Sequence, residues 1–510
     1  MSFPRAAVRY LERHVAKQHI LGPLCAKQIG APVCRATTSQ VSWQPLSRAG
    51  RTYATVSAVE LEFGQPVHET HPHILKAGEI TPGITAQEYA DRRAKLAHSL
   101  PSGGITVLAA ADLKYRSGAV FFPFRQESNF LYLTGFLEPE ALAVIQKTGP
   151  DLGDYVFHLF CRPKDPRAEQ WSGPWSGLQA ATDVFNADSA HDIAKADTLL
   201  PNLLQPASRI YADLPSPNAT VAPSLPNTIR HALPKPDILA PLQPLVNALR
   251  AIKSPAEVAA MRHAGRVSGR ALTDAMRRPW AYEKDLHAFL THAFSQDGCG
   301  GEAYVPVIAG GPRGTMIHYV HNTAALAPGS TVLVDAGGEY GNYVSDITRT
   351  WPVSGRFSAP QRDLYEAVLR VQRRVVAMCR ADAALTLDQL HRVADNGLRE
   401  ELTALGFTGL AGGGGGGGGG MDVLFPHHVG HYVGLDVHDV PGYGRGIQLK
   451  TGHCVTVEPG IYVPDDERFP KHFRGLAVRI EDSVCVNDDG PIVLTAEAVK
   501  EVVDIEALRD

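Results

Sequence analysis

Acidic residues stand at the ends and in the middle of this chain's apolar strand-like runs, which limits what it can fold into. The run Thr-Val-Leu-Val ends on Asp335, and Asp346 follows within Tyr-Val-Ser-Asp-Ile-Thr. The residues between them include Glu339, Tyr340, Gly341 and Asn342, which is turn material. A hairpin centred between Tyr340 and Gly341 sets Asp335 directly opposite Asp346, on one face and with Cβ atoms ~5 Å apart. Like charges so placed repel, so a cation or a proton must lie between them; the alternative is two exposed turn acids. Glu458 ends the run Cys-Val-Thr-Val, ahead of Pro459 and Gly460. Glu481 lies inside Leu-Ala-Val-Arg-Ile-Glu-Asp-Ser-Val, where alternation puts Arg479, Glu481 and Ser483 on one face. A carboxylate in such a setting needs a partner, and the choice is Arg479 or a metal.

Between these acids, residues 425–439 hold His427, His428, His431 and His438. They do not form the H-E-x-x-H zinc motif, since no glutamate follows the first histidine of a pair. Four carboxylates with one histidine make a hard, oxygen-rich ligand set that suits Mn²⁺, with Co²⁺ or Zn²⁺ as alternatives. Bridging carboxylates can hold two such ions ~3.5–4 Å apart.

At 510 residues the chain exceeds a single core. Helix and strand signals alternate over 81–210: a helix at 84–100 and strands at 105–110, 129–134, 141–146 and 155–160. Breakers recur over 215–244 and predict an interdomain connection. A second domain opens at Ser254-Pro255-Ala256-Glu257, a capping box with proline at the first helical position. Helices at 255–277, 283–296, 361–381 and 387–405 and strands at 305–309, 331–335, 343–351, 455–458 and 476–486 follow. The fold class is therefore α/β (α+β), with domains at 81–248 and 249–510. The nine-glycine run 412–420 lacks the Lys-Ser or Lys-Thr of a phosphate loop and reads as a flexible, disordered surface insert.

The N-terminal end differs in charge from the rest. Of 49 basic and 53 acidic residues, eight and one fall within 1–53, which leaves an acidic body. A basic, acid-poor leader without an apolar core reads as a mitochondrial presequence, with the matrix as destination. Residues 54–80, with His68, His71 and His73, read as a solvated linker or arm. The acidic body argues against nucleic acid as a partner, and no run approaches the ~18 apolar residues of a transmembrane segment. Seven cysteines without a C-x-x-C pair predict buried thiols and no disulfide framework.

On these residues the chain resembles the pita-bread metallopeptidases: aminopeptidase P, prolidase and methionine aminopeptidase. The resemblance rests on the acid spacing, the phrases Val-Glu-Pro-Gly-Ile-Tyr around Glu458 and Arg-Ile-Glu-Asp around Glu481, and Phe-Arg-Gln-Glu-Ser-Asn-Phe-Leu-Tyr-Leu-Thr-Gly-Phe at 124–136. It covers about 81–510 and implies an aminopeptidase P-like N-terminal domain followed by a pita-bread catalytic domain. It also implies that Asp335 holds one Mn²⁺, that His431 and Glu458 hold a second, and that Asp346 and Glu481 bridge. A water acidified by the two ions attacks the first peptide bond, and Glu458 moves its proton. By the same resemblance His318 and His438 stabilise the oxyanion, His427 lines the pocket for the second residue, and Arg479 beside it orients the carboxylates. Substrates are then peptide or protein N-termini, with Xaa-Pro bonds foremost. A prolidase, or a metal-free pita-bread binding module, stays open as the alternative, and so does a homo-oligomer. Arg51-Thr52-Tyr53-Ala54 resembles a presequence cut after Thr52. A mitochondrial branch of the family then removes one bulky residue, here Tyr53.

Overall fold

A computed structural model describes residues 62–214, 224–410 and 419–510. The expected presequence, its cut at Thr52, residues 54–61 and most of the glycine run lie outside the described residues.

In the first domain, helix Ala86–Ser99 (α1) starts where the Thr85 hydroxyl caps the Glu88 amide. A mixed sheet follows, from strands Gly104–Ala109 (β1), Leu142–Lys147 (β2), Tyr155–Cys161 (β3), Ser189–Asp192 (β4), Arg209–Tyr211 (β5) and Leu239–Ala240 (β6), in the order β6-β5-β1-β2-β3-β4. The central pairs β1/β2 and β2/β3 are antiparallel, and the outer ones are parallel.

Three expectations need correction here. Residues 129–134 are not a strand but part of helix Ser128–Thr134 (α2). The Glu127 carboxylate caps the Phe130 amide, and Gly135 closes the helix at φ 67°, a left-handed cap that suits glycine. A short run buried on every side, as Phe130 to Thr134 is, carries no periodicity to separate helix from strand. The proline-rich stretch is not a plain connection either: it supplies helix Ser224–Ala232 and edge strand β6 before helix Gln243–Arg250 (α3). From residue 62 the arm is packed rather than solvated. Val67 and Leu75 are buried, and the Gln65 side chain bonds the backbone of Gly135 and Leu137.

The second domain opens with helix Pro255–Met276 (α4), whose Ser254/Glu257 capping box forms as expected. Helix Glu283–Gln296 (α5) packs on it. Strand Val307–Gly310 (β7) starts two residues later than the sequence suggests, after Pro306, which has no N–H to give the ladder. Strands Thr331–Asp335 (β8), Gly338–Tyr340 (β9), Tyr343–Val344 (β10) and Thr348–Pro352 (β11) follow, with sheet order β7-β8-β11. Helices Ala359–Ala377 (α6) and Leu387–Ala404 (α7) bury their apolar faces in one large core. Helix Gly420–Leu424 (α8) takes Gly419 as its cap, so the last two glycines of the run belong to the fold and not to an insert. Strands Cys454–Val457 (β12), Gly460–Tyr462 (β13), Ala477–Arg479 (β14) and Asp482–Cys485 (β15) complete the domain, β12 pairing with β15 and β13 with β14. Cys161, Cys299, Cys379, Cys454 and Cys485 are free and buried, as expected.

The hairpin between the aspartates turns one position later than expected. Tyr340 pairs with Tyr343 across Gly341 (φ 57°) and Asn342 (φ 67°), the two left-handed residues of a tight hairpin turn. Asp335 therefore opposes Thr348, not Asp346. Asp346 pairs with nothing in the ladder, yet its charge bears on Asp335. The long strands expected at 343–351 and 476–486 are each broken, at 345–347 and at 480–481. Asp346 and Glu481 sit in those breaks, where an irregular backbone re-aims a side chain.

The two domains share a core, in which Leu242, just ahead of α3, and Val246 of α3 cluster with Val433, Leu435 and Cys454. Buried Arg92 of α1 donates to the Tyr132 carbonyl and the Tyr343 hydroxyl and pairs with Glu257 at 3.5 Å.

At Gly337 a Cβ would lie 1.8 Å from the Ser345 carbonyl oxygen, so the two hairpin arms touch backbone to backbone. Gly337→Ala should cost about 1–3 kcal/mol and displace Asp346. Denaturant melts together with peptide turnover measure this, and an unchanged midpoint with full activity refutes the close contact.

Candidate metal centre

Asp335 leaves the end of β8 with both oxygens engaged: Tyr304 donates its hydroxyl to Oδ1 at 2.6 Å, and Arg479 Nη2 lies 2.7 Å from Oδ2. Arg479, 2% exposed, also donates Nη1 to the Tyr462 hydroxyl at 2.9 Å and Nε to Thr348 Oγ1 at 2.9 Å. Thr348 Oγ1 in turn donates to Glu481 Oε2 at 2.7 Å. The other oxygen of Glu481, Oε1, is buried with no hydrogen-bond partner. Ser483 Oγ donates to the Asp346 carbonyl at 2.8 Å. Arg479, Glu481 and Ser483 thus meet here although the strand expected to carry all three on one face is broken at 480–481.

The histidine comes from a segment laid against β12. Thr456 N donates to the His431 carbonyl at 2.9 Å, Thr456 Oγ1 accepts the His431 amide at 3.1 Å, and Glu458 N donates to the Val429 carbonyl at 2.8 Å. The approach needs a glycine beside it: a Cβ on Gly430 would lie 2.0 Å from the Thr456 carbonyl oxygen. His431 Nδ1 is within 3.0 Å of the Tyr432 carbonyl, an acceptor that fixes the proton on Nδ1. Nε2 then faces Asp346 Oδ2 at 3.4 Å and Glu458 Oε1 at 3.5 Å. Asp346, His431 and Glu481 offer ligand atoms all within 4.8 Å of one another.

The charges do not balance by themselves. Burial raises the Asp335 carboxyl against the pull of Arg479, and burial raises Glu458 to about 7 against His431 and Arg479. Glu481 is pushed well above the carboxylate range by burial and by the charges of Asp346, Glu458 and Asp335. Burial opposes a charged His431, yet its bond to Asp346 and the charge of Glu458 raise it to about 9. Oxygen-rich, buried and short of positive charge, with an orphaned Glu481 oxygen, the cluster fits a divalent cation.

The other expected residues lie near the cluster. His438 is exposed, with its ring edge-on to His431 at 4.4 Å between centroids. His318 lies in an exposed turn and bears electrostatically on His438. His427 is bound at both nitrogens, Nε2 with the Tyr462 hydroxyl at 2.8 Å and Nδ1 with the His428 carbonyl at 2.9 Å; burial lowers it to about 4. Sequence reasoning missed Tyr304, Thr348, Thr456 and Tyr462. Thr348 and Thr456 had a signal, since each stands two residues from a carboxylate, Asp346 or Glu458, on the same strand face. Tyr304 and Tyr462 reach the site through tertiary packing.

Thr348→Val removes the hydroxyl that joins Arg479 to Glu481 in a fully buried place. It should destabilise the chain by about 1–3 kcal/mol and weaken divalent-cation binding. Denaturation and metal titration of the variant test both; wild-type affinity for the cation would count against the link.

Both domains match known protein families. The profile of Metallopeptidase family M24 matches residues 259–488, and that of the Aminopeptidase P, N-terminal domain, matches 89–211. The chain is 39% identical over 470 residues to Intermediate cleaving peptidase 55 of Saccharomyces cerevisiae, spanning 89% of this chain and 90% of that one. The crystal structure of that yeast protein, lacking its N-terminal 58 residues, superposes with a TM-score of 0.79 at 38% identity, over 85% of this chain and 99% of the other. Xaa-Pro aminopeptidase 3 of Mus musculus is 38% identical over 462 residues, 88% and 90% of the two chains. Intermediate cleaving peptidase 55, mitochondrial, of Arabidopsis thaliana is 33% identical over 451 residues, 88% and 87% of the two. With an aminopeptidase P domain ahead of a pita-bread catalytic domain and a buried carboxylate–histidine cluster for a divalent metal, the chain belongs to metallopeptidase family M24 and is a metalloaminopeptidase of the aminopeptidase P type.

Proposed function

We propose that this enzyme removes single residues from the N-termini of Xaa-Pro peptides and of imported mitochondrial proteins, using two divalent cations, Mn²⁺ foremost. The observation that carries the reading is the excess of buried carboxylate at the centre, with Glu481 Oε1 left unpartnered. Asp335, Asp346, His431, Glu458 and Glu481 would hold the cations, Asp335 on one of them, His431 and Glu458 on the other, and Asp346 and Glu481 on both. Bound cations supply Lewis acidity and bring the pKa of water toward neutrality.

The chain's own groups do the rest. Glu458 takes a proton from the attacking water and returns it to the leaving nitrogen. His438 and His318 donate to the carbonyl oxygen as charge develops. His427, kept neutral by burial and committed at both nitrogens, suits a wall of the second-residue pocket. Arg479 orients Asp335 and, through Thr348, Glu481. The aminopeptidase P domain and the relatives' names favour an aminopeptidase over a dipeptide-cleaving prolidase. The basic residues of 1–53 and the words "intermediate cleaving" and "mitochondrial" in those names support trimming of imported proteins.

Chelation should abolish cleavage of an Xaa-Pro tripeptide, and Mn²⁺ should restore it. Asp346→Ala should lose both ions, whereas His438→Ala should keep them and lose turnover by about 10²–10³. Full activity in a metal-free preparation sinks the two-metal reading, and metal loss in the histidine variant reassigns that residue.

N-terminal sequencing of mitochondrial proteins with and without the enzyme tests the biological half. Its loss should leave one extra bulky residue on a subset of N-termini, and the enzyme's own chain should begin at Ala54 only when it is active. Unchanged N-termini confine the activity to Xaa-Pro peptides.

A further inference from the structure

The His438 ring has no hydrogen-bond partner among the described residues, so its direction is set by the backbone that carries it. That backbone is held by two flanking carboxylates. Asp439 is buried between Lys253 Nζ, at 2.8 Å, and Arg250, and its Oδ1 accepts the Asp436 amide. Asp436 is held from two sides: Oδ2 by Arg250 Nη2 at 2.7 Å, and Oδ1 by the Ser128 hydroxyl at 2.6 Å. Ser128 belongs to the first domain, at the start of α2. Its neighbour Arg125 donates to the Leu435 carbonyl, lies 3.7 Å from Asp436, and reaches Glu339 at 2.7 Å and the Asn342 carbonyl at 3.4 Å. One short segment of the first domain therefore grips both the loop that carries His438 and the hairpin that carries Asp335 and Asp346.

We propose that Ser128 and Arg125 are positioning residues for the reaction: through Asp436 and Leu435 they fix where His438 points, and the first domain thereby completes the active site of the second. The proposal rests on the oxyanion role of His438. A misplacement of about 1 Å at such a donor is enough to cost up to about 10²-fold in rate. Ser128 contacts neither the cluster nor its ligands, so its loss should leave the metal in place.

The test is a double-mutant cycle on the full-length, metal-loaded enzyme, reading kcat, KM, bound metal and melting temperature. Ser128→Ala should lower kcat about tenfold with KM and metal content near wild type, and Ser128→Thr should recover most of the loss. In a His438→Ala background, Ser128→Ala should cost almost nothing further, because the group it positions is gone. Arg125→Lys, read in the same cycle, stands in should Ser128→Ala fail to fold. Losses that multiply in the double variant, or a wild-type kcat in a folded Ser128→Ala enzyme, overturn the proposal alone. A His438→Ala enzyme with undiminished kcat overturns the role of His438 and the proposal with it.

Discussion

A single buried guanidinium ties the catalytic domain together. Arg479 touches Asp335 at the end of β8, Thr348 at the start of β11 and Tyr462 at the end of β13, while itself closing β14. A fixed cation in a low-dielectric interior is costly unless every donor is answered, and here the answer comes from three strands at once. The same charge lets Asp335 and its neighbours be buried together. The repulsion left over, expressed in the raised Glu458 and Glu481 carboxyls, is what a divalent cation relieves.

Regular strands could not build this cluster. Asp346, Glu458 and Glu481 each sit just where a strand stops or breaks. In an unbroken ladder, side chains of one strand leave in parallel; a break lets carboxylates from different strands converge. Glycines permit the close approaches this needs: Gly337 against Ser345 beneath Asp346, and Gly430 against Thr456 beside His431.

The first domain is built into the second. A common apolar cluster and buried polar contacts, Arg92 with Glu257 and Arg250 of α3 with Asp439, join them. Desolvated contacts of this kind hold orientation more firmly than exposed ion pairs do, which suits the loop that carries His438.

Several features were legible in the sequence because each depends on local chemistry. The capped helices and the apolar strands ending in acids follow from spacing and residue type. The hairpin turn was one position off because Tyr340, Gly341 and Asn342 all tolerate a turn, and only the pairing of β8 with β11 selects the centre. The sequence reads residues 129–134 as a strand because a run buried on all sides has no period. The strand breaks at Asp346 and Glu481, and the arrival of Tyr304 and Tyr462 at the cluster, had no local signal at all. The sequence by itself determined which groups could carry charge and bind a cation; the tertiary structure decided how they converge, because the direction of a buried side chain is set by neighbours up to 144 residues away that must answer its charge and its hydrogen bonds.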